Sequence, residues 1–298
     1  MHKGVRGVFA ALTTLFVSFS FSVNAEAASP SYVALGDSYA SGNGGGSYLT
    51  GTANASCYRS TKGYPYLVAS SSGLALNLQA CSGANIDDVT SKQLGAVDGS
   101  TAYVTITVGG NDIGFSSVVS TCLGSNTTAC LNAVSAATAT AKSADFKSKL
   151  TSLYAGIKAK APSASIVATS YPRLFNGKDC SVLTSFTSAE MTQLNAGADA
   201  LATTISEAAA AAGIRFADVR TPFVGHAVCD RSAWILNASL FKSYESFHPN
   251  ATGYSSGYKP TVTTVLAPVK SGSAMKVTTG GVTSSDTTRG NVKVPNSQ

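Results

Sequence analysis

The sequence predicts an α/β domain, a five-stranded parallel sheet with helices on both faces. Five short strand-like runs (32–35, 74–78, 103–108, 165–169 and 214–219) are separated by helical patterns of about a dozen residues or more, the alternation that builds such a sheet. The first and third runs end in polar, glycine-containing turns, Leu35-Gly36-Asp37-Ser38-Tyr39 and Gly109-Gly110-Asn111-Asp112, and ligands of open α/β sheets bind outside the carboxyl ends of strands. The 298-residue chain is 44% hydrophobic and 12% charged, against about 25% charged in ordinary soluble domains, which argues for one large core and against disorder.

Taken in order, His2, Lys3 and Arg6 precede an apolar stretch at 8–23 and then Ala25-Glu26-Ala27-Ala28. Basic, apolar and small-residue parts in that order form a secretory signal peptide, with cleavage expected at or near Ala27. The stretch is interrupted by Thr and Ser and is shorter than the roughly 20 residues of a membrane-spanning helix, so residues 1–27 are read as a leader and not as a transmembrane anchor. One folded domain is expected over 28–268. In 143–160, Phe146, Leu150, Leu153 and Ile157 recur at helical spacing. A second helix is expected after Thr187, which has capping-box spacing to Glu190. Met191, Leu194, Ala198, Leu201 and Ile205 line its apolar face, and Gly213 stops it. Residues 269–298 are dominated by Gly, Ser and Thr and read as a loosely ordered tail.

Without Lys3, Arg6 and Glu26 the formal charge falls from +6 to +5. Lys142, Lys147, Lys149, Lys158 and Lys160 are dispersed as on solvated helix faces, so nucleic acid is excluded as a partner, while transient contact with a lipid interface is allowed. All six cysteines follow the leader, and an even count in an oxidising compartment argues for disulfides over zinc ligands. Fifteen pairings exist for six cysteines. The sequential one, Cys57 with Cys81, Cys122 with Cys130 and Cys180 with Cys229, is expected because each loop then closes locally.

The polar strand ends, Cys81-Ser82-Gly83-Ala84 after the second run and Glu245-Ser246-Phe247-His248-Pro249-Asn250 near the end supply the parts of an acyl-transfer site: a hydroxyl, an imidazole and oxyanion donors. A serine hydroxyl is a weak nucleophile until a base takes its proton. Beyond the leader only His226 and His248 are available for that task, and His226 has no catalytic context.

With Ser38 in GDSY, Gly83 in CSGA, Asn111 in GGND and His248 in FHPN, in that order over about 31–268, the chain resembles the GDSL or SGNH hydrolases, in particular the secreted lipases and esterases of actinomycetes. The resemblance implies the flavodoxin-like SGNH fold, Ser38 as nucleophile and His248 as general base. It implies oxyanion donors at the Ser38 amide, the Gly83 amide and the Asn111 side chain, and the Cys57–Cys81 bridge as anchor of the Gly83 loop. Many relatives carry Asp three residues before the histidine; here Glu245 stands there and is the expected orienting carboxylate, with a main-chain acceptor at Ser246 as the alternative. Asp37 and Asp112 are expected to shape their loops as hydrogen-bond acceptors.

Two motifs mislead. Gly253-Tyr254-Ser255-Ser256-Gly257 matches the Gly-x-Ser-x-Gly elbow, but no histidine follows it to complete a triad. The glycine-rich stretch at 42–46 lacks dinucleotide-loop spacing and reads as a flexible loop beside the site. The expectation is a secreted, monomeric lipase or esterase acting through an acyl-serine intermediate, without cofactor or metal. A phospholipase releasing fatty acid from glycerophospholipids, a polysaccharide acetylesterase and a non-catalytic binding module are the alternatives.

Overall fold

Aliphatic and aromatic side chains on consecutive residues of the inner strands bury both faces of one sheet. The computed structural model describes Met1 and residues 29–266, apart from Ser125 and Val182. The expected leader and the 269–298 tail lie outside the described residues. In chain order the elements are β1 (Ser31–Gly36), α1 (Ser38–Ser41), α2 (Thr52–Ser56), α3 (Tyr64–Ser72), β2 (Ala75–Leu78), α4 (Ile86–Asp88) and β3 (Tyr103–Thr107). They continue with α5 (Phe115–Cys122), α6 (Thr127–Ala141), α7 (Ala144–Lys160), β4 (Ser165–Thr169), α8 (Ser188–Ala212), β5 (Arg215–Ala217) and α9 (Lys259–Leu266). The strands pair in parallel in the order β2-β1-β3-β4-β5.

Val104 to Thr107 of β3 and Ile166 to Thr169 of β4 are all buried. Successive strand residues point to opposite faces, so both faces are covered, as parallel sheets require. The strand order reverses between β1 and β3, which opens a crevice at their carboxyl ends. β2 starts one residue later than expected because the Leu74 amide caps α3 through the Ala69 carbonyl. β5 is shorter at both ends: the Ile214 amide serves the Ala209 carbonyl, and the Val219 amide donates to the Ser170 hydroxyl instead of extending the ladder.

α7 buries Phe146, Leu150, Leu153 and Ile157, the expected stripe. α8 is closed at its start by the Thr187/Glu190 capping box and at its end by Gly213 at φ 65°. Met191, Leu194, Leu201 and Ile205 are buried along it. The disulfides join Cys57–Cys81, Cys122–Cys130 and Cys180–Cys229, with S–S distances of 2.00, 1.97 and 2.16 Å. Among the described residues no helix is long and apolar enough to cross a membrane.

Candidate active site

The turn after β1 is built by close backbone approach. Gly36 has φ +124°, and a Cβ there would lie 2.0 Å from the Thr107 carbonyl oxygen, so only glycine brings β1 this near to β3. The buried side-chain amide of Gln93 clamps the same residue from both sides: the Gly36 amide donates to Oε1 at 2.8 Å, and Nε2 donates to the Gly36 carbonyl at 2.9 Å. The Asp37 amide adds one more rung to Thr107 at 2.9 Å, after which its Oδ1 caps α1 by accepting from the Tyr39 amide at 2.9 Å. Ser38 is thereby the first residue of α1, where a backbone N–H has no partner within the helix.

Asp37 also ties this turn to the end of β3. Its Oδ2 accepts the Tyr171 hydroxyl, whose oxygen in turn accepts the Gly110 amide at 3.1 Å. Burial pushes the Asp37 carboxyl up to about 7, against the opposing pull of the Tyr171 hydrogen bond. Asp112 takes the Ile86 amide at 3.1 and 3.2 Å, holding the loop after β3 against α4. Both aspartates act as loop-shaping acceptors.

His248 comes from the far end of the chain. Ile235 and Pro249 form an antiparallel bridge. The Phe247 amide donates to the Leu236 carbonyl and the Leu236 amide to the His248 carbonyl, each at 2.9 Å. Phe247 sits in the left-handed region at φ 62°, its ring buried against Phe175 and Phe186. The Tyr39 hydroxyl donates to the Phe247 carbonyl at 2.7 Å, so the residue after the serine holds the residue before the histidine. His248 Nε2 lies 2.7 Å from Ser38 Oγ, across 210 positions of sequence. Burial holds the imidazole down at about 4, against partial compensation from the Ser246 and Glu245 backbone.

The expected role of Glu245 is corrected by the geometry. His248 Nδ1 meets the Ser246 carbonyl at 3.0 Å, whereas the Glu245 carboxylate accepts the Tyr48 hydroxyl at 2.6 Å and lies 3.4 Å from Lys242 Nζ. The positive φ at Phe247 turns the chain so that a main-chain acceptor, not the side chain three residues upstream, faces the ring.

The glycine-rich stretch at 42–46 is pinned rather than loose. Asn43 Nδ2 donates to the Tyr244 carbonyl at 2.6 Å, and the Asn43 carbonyl accepts from the Tyr254 hydroxyl at 2.7 Å. The Tyr48 hydroxyl, which serves Glu245, also accepts from the Gly44 amide at 3.0 Å. A Cβ on Gly44 would meet Pro249 O at 2.6 Å and His248 Cβ at 2.9 Å, so this stretch packs directly on the histidine.

Gly83 has φ +84° and follows Cys81, whose amide reaches the Gly36 carbonyl at 3.0 Å. The Ser82 amide donates to the carbonyl of Cys57, the other half of the bridge, at 3.2 Å. Asn111 Nδ2 gives one hydrogen to the Ala84 carbonyl at 2.9 Å, and an amide carries two. Ser38, Gly83, Asn111 and His248 line one cavity of about 490 Å³. Its walls are apolar: Val118 and Val119 of α5, Val134 of α6, and Leu194 and Leu201 of α8. Phe115 also lines it, and Cys122–Cys130 staples the two helices that form one wall.

Neither the motif match at 253–257 nor His226 lines this cavity. Ser255 is exposed, its hydroxyl on the Thr252 carbonyl at 3.3 Å, and Gly257 packs where a Cβ would meet the Phe223 ring at 2.3 Å. His226 stacks on Trp234 with ring centroids 3.6 Å apart. Sequence reasoning missed Gln93 and Tyr171, neither of which lies in a motif, and the ties that Asn43 and Tyr48 make.

Fold and site together define an α/β ester hydrolase. The chain belongs to the GDSL-like lipase/acylhydrolase family, whose model matches residues 34–255. It is 42% identical over 236 residues to Lipase 1 of Streptomyces coelicolor, covering 78% of this chain and 86% of that protein. Among solved structures, it is similar to phospholipase A1 from Streptomyces albidoflavus, with a TM-score of 0.76 and 39% identity over 80% of this chain and all of that one. It is also similar to the extracellular lipase of Streptomyces rimosus, with a TM-score of 0.74 and 40% identity over the same shares.

Proposed function

We propose that the protein is a secreted, monomeric lipase or esterase that cleaves acyl esters through an acyl-Ser38 intermediate. The observation that carries this reading is the 2.7 Å contact between Ser38 Oγ and His248 Nε2 in an apolar cavity of about 490 Å³. His248 is neutral at pH 7, and the Ser246 carbonyl engages Nδ1, which favours the tautomer whose Nε2 is free to accept a proton. As Ser38 Oγ attacks the ester carbonyl, its proton passes to Nε2. The oxyanion takes hydrogen bonds from the Ser38 amide, the Gly83 amide and the second hydrogen of Asn111 Nδ2. Collapse breaks the ester bond, and the alcohol leaves with the proton from His248. Water then repeats the sequence on the acyl-enzyme, releasing the fatty acid and restoring Ser38.

Three disulfides and the extracellular S. rimosus relative support secretion. The apolar helical walls favour a fatty acyl chain over an acetyl group. The deciding experiment is the hydrolysis of short and long p-nitrophenyl esters, a triglyceride emulsion and a phospholipid by the purified enzyme and by Ser38→Ala. Long-chain preference abolished in the variant is the expected result. Turnover unchanged in Ser38→Ala removes the nucleophile, and silence of the parent enzyme on every ester removes the activity.

A further inference from the structure

Six large hydrophobic residues beyond the start of the domain are substantially exposed among the described residues: Tyr66, Leu123, Leu183, Val224, Leu240 and Phe241. Their distribution is uneven. Leu123, Leu183 and Leu240 also line the cavity that holds Ser38, and Phe241 is the next residue after Leu240. A residue that both lines a cavity and meets solvent marks its mouth, so Leu123, Leu183 and Leu240 carry apolar surface from the exterior into the cavity that holds Ser38, beside polar Ser239 and Ser243. At that mouth the 240–241 tip is the most exposed part, with Leu240 75% and Phe241 97% exposed.

Large apolar side chains held in water are costly, and clustering them around one opening marks a contact surface. The exposure of Phe241 is nearly complete, and the turn around it is held by other groups. The Lys242 amide donates to Ser239 Oγ, the Ser239 amide to Ser246 Oγ, and the Ser246 amide to the Ser243 carbonyl. The tip is therefore a short, internally braced loop with its apolar side chains turned outward. Lys242 follows directly, its side chain 59% exposed with Nζ 3.4 Å from the Glu245 carboxylate, on a chain whose formal charge without the expected leader is +5.

Together these features select one occupant. A protein seated on the tip would cover the entrance to the cavity. A lipid surface would cover the same side chains and deliver an acyl chain into the opening they surround, with its anionic headgroups facing Lys242. We infer that Leu240 and Phe241 form a docking tip that seats the cavity mouth on the surface of an aggregated, anionic acyl lipid, with Phe241 inserted among the acyl chains. This rests on the proposed lipase reading, and it names where that enzyme meets its substrate phase.

The test uses vesicles of phosphatidylcholine and phosphatidylglycerol and separates docking from chemistry. Phe241 is not a cavity residue, so Phe241→Ser leaves turnover of a dissolved short-chain ester and the thermal midpoint unchanged. Its partitioning onto vesicles, read by co-sedimentation, is expected to fall by about tenfold or more, the effect of removing one buried aromatic. Phe241→Trp adds a direct reporter, whose emission shifts to the blue when vesicles are added. Ser38→Ala is expected to sediment like the parent enzyme, so docking is measured even where no ester is cleaved. Undiminished sedimentation of Phe241→Ser, or no spectral shift in Phe241→Trp, overturns the inference. So does a dimer of the free enzyme that Phe241→Ser dissolves while vesicle binding persists.

Discussion

The carbonyl oxygen of Ser246 lies 3.0 Å from Nδ1 of His248, so the group that orients the imidazole is neutral and belongs to the main chain. A backbone acceptor fixes the tautomer without adding a negative charge beside the ring. It also cannot be removed by substitution, which makes the side chains around it the informative targets.

Glu245→Gln is expected to keep kcat within about tenfold of the parent, since the carboxylate serves Tyr48 and not the imidazole. Tyr48→Phe, which removes the other end of the same bond, should have a similar effect. The double variant should then lose little more than either single one, because the two residues share one interaction. A loss of about 10⁴ in kcat for Glu245→Gln, the scale for removing a triad carboxylate, would return the carboxylate to the catalytic role.

The acid limb of kcat/KM on a dissolved ester is expected near pH 4 and not near the ordinary histidine value of 6.5. The stability consequence has a definite sign. Below about 6.5 the unfolded histidine binds a proton that the folded one refuses until about 4, so stability is lost as pH falls through that window. Asp37 works in the opposite sense. Its folded value is raised from 3.8 to about 7, so its contribution is lost as pH rises across that interval and the acid-side decline is shallower than His248 alone would give. Proton NMR of the imidazole resonances, with only His226 and His248 to assign beyond the expected leader, measures the first value directly.

For Asn111→Ala the expected result is a fall in kcat of roughly 100–1,000-fold with KM little changed, the signature of a donor used mainly in the transition state. The Ala84 carbonyl, which Asn111 also holds, would be released, so the thermal midpoint is measured alongside. A change confined to KM would make Asn111 a substrate-binding group.

Tyr171→Phe removes the hydroxyl that joins Asp37 to the Gly110 amide. Both partners are buried, and leaving such groups unpaired costs about 1–3 kcal/mol each. Denaturant unfolding should show that loss. Because the hydroxyl bridges the serine turn to the loop carrying Asn111, kcat should fall more than KM rises. A variant of unchanged stability and activity would show that the two loops hold their places without the bridge.

The legible parts of the molecule were those specified by local pattern. The apolar stripe of α7 and the Thr187/Glu190 cap of α8 are readable because each depends on residues a few positions apart. Ser38, Gly83, Asn111 and His248 are readable because each stands in a short motif at a strand end or in the last loop, though their convergence on one cavity is tertiary. The role given to Glu245 failed because spacing says which residues are near, and the turn at Phe247 decides which atom faces the ring. The 42–46 stretch reads as flexible from its glycines, yet Tyr48, Tyr244 and Tyr254 hold it, the last two about two hundred residues away. Gln93 and Tyr171 lie 57 and 134 positions from the turn residues they hold, a separation at which one sequence carries no local signal.

Ser38 stands just after the first described strand and His248 in the loop that leads to the last described helix. A nascent or clipped chain ending anywhere short of that loop therefore carries the hydroxyl without its proton acceptor. Because Tyr39 reaches across to the Phe247 carbonyl, the two ends must also meet before the pair is aligned. Onset of ester cleavage in a refolding or cell-free synthesis experiment would thus time the closing of the whole domain, not the appearance of any one part.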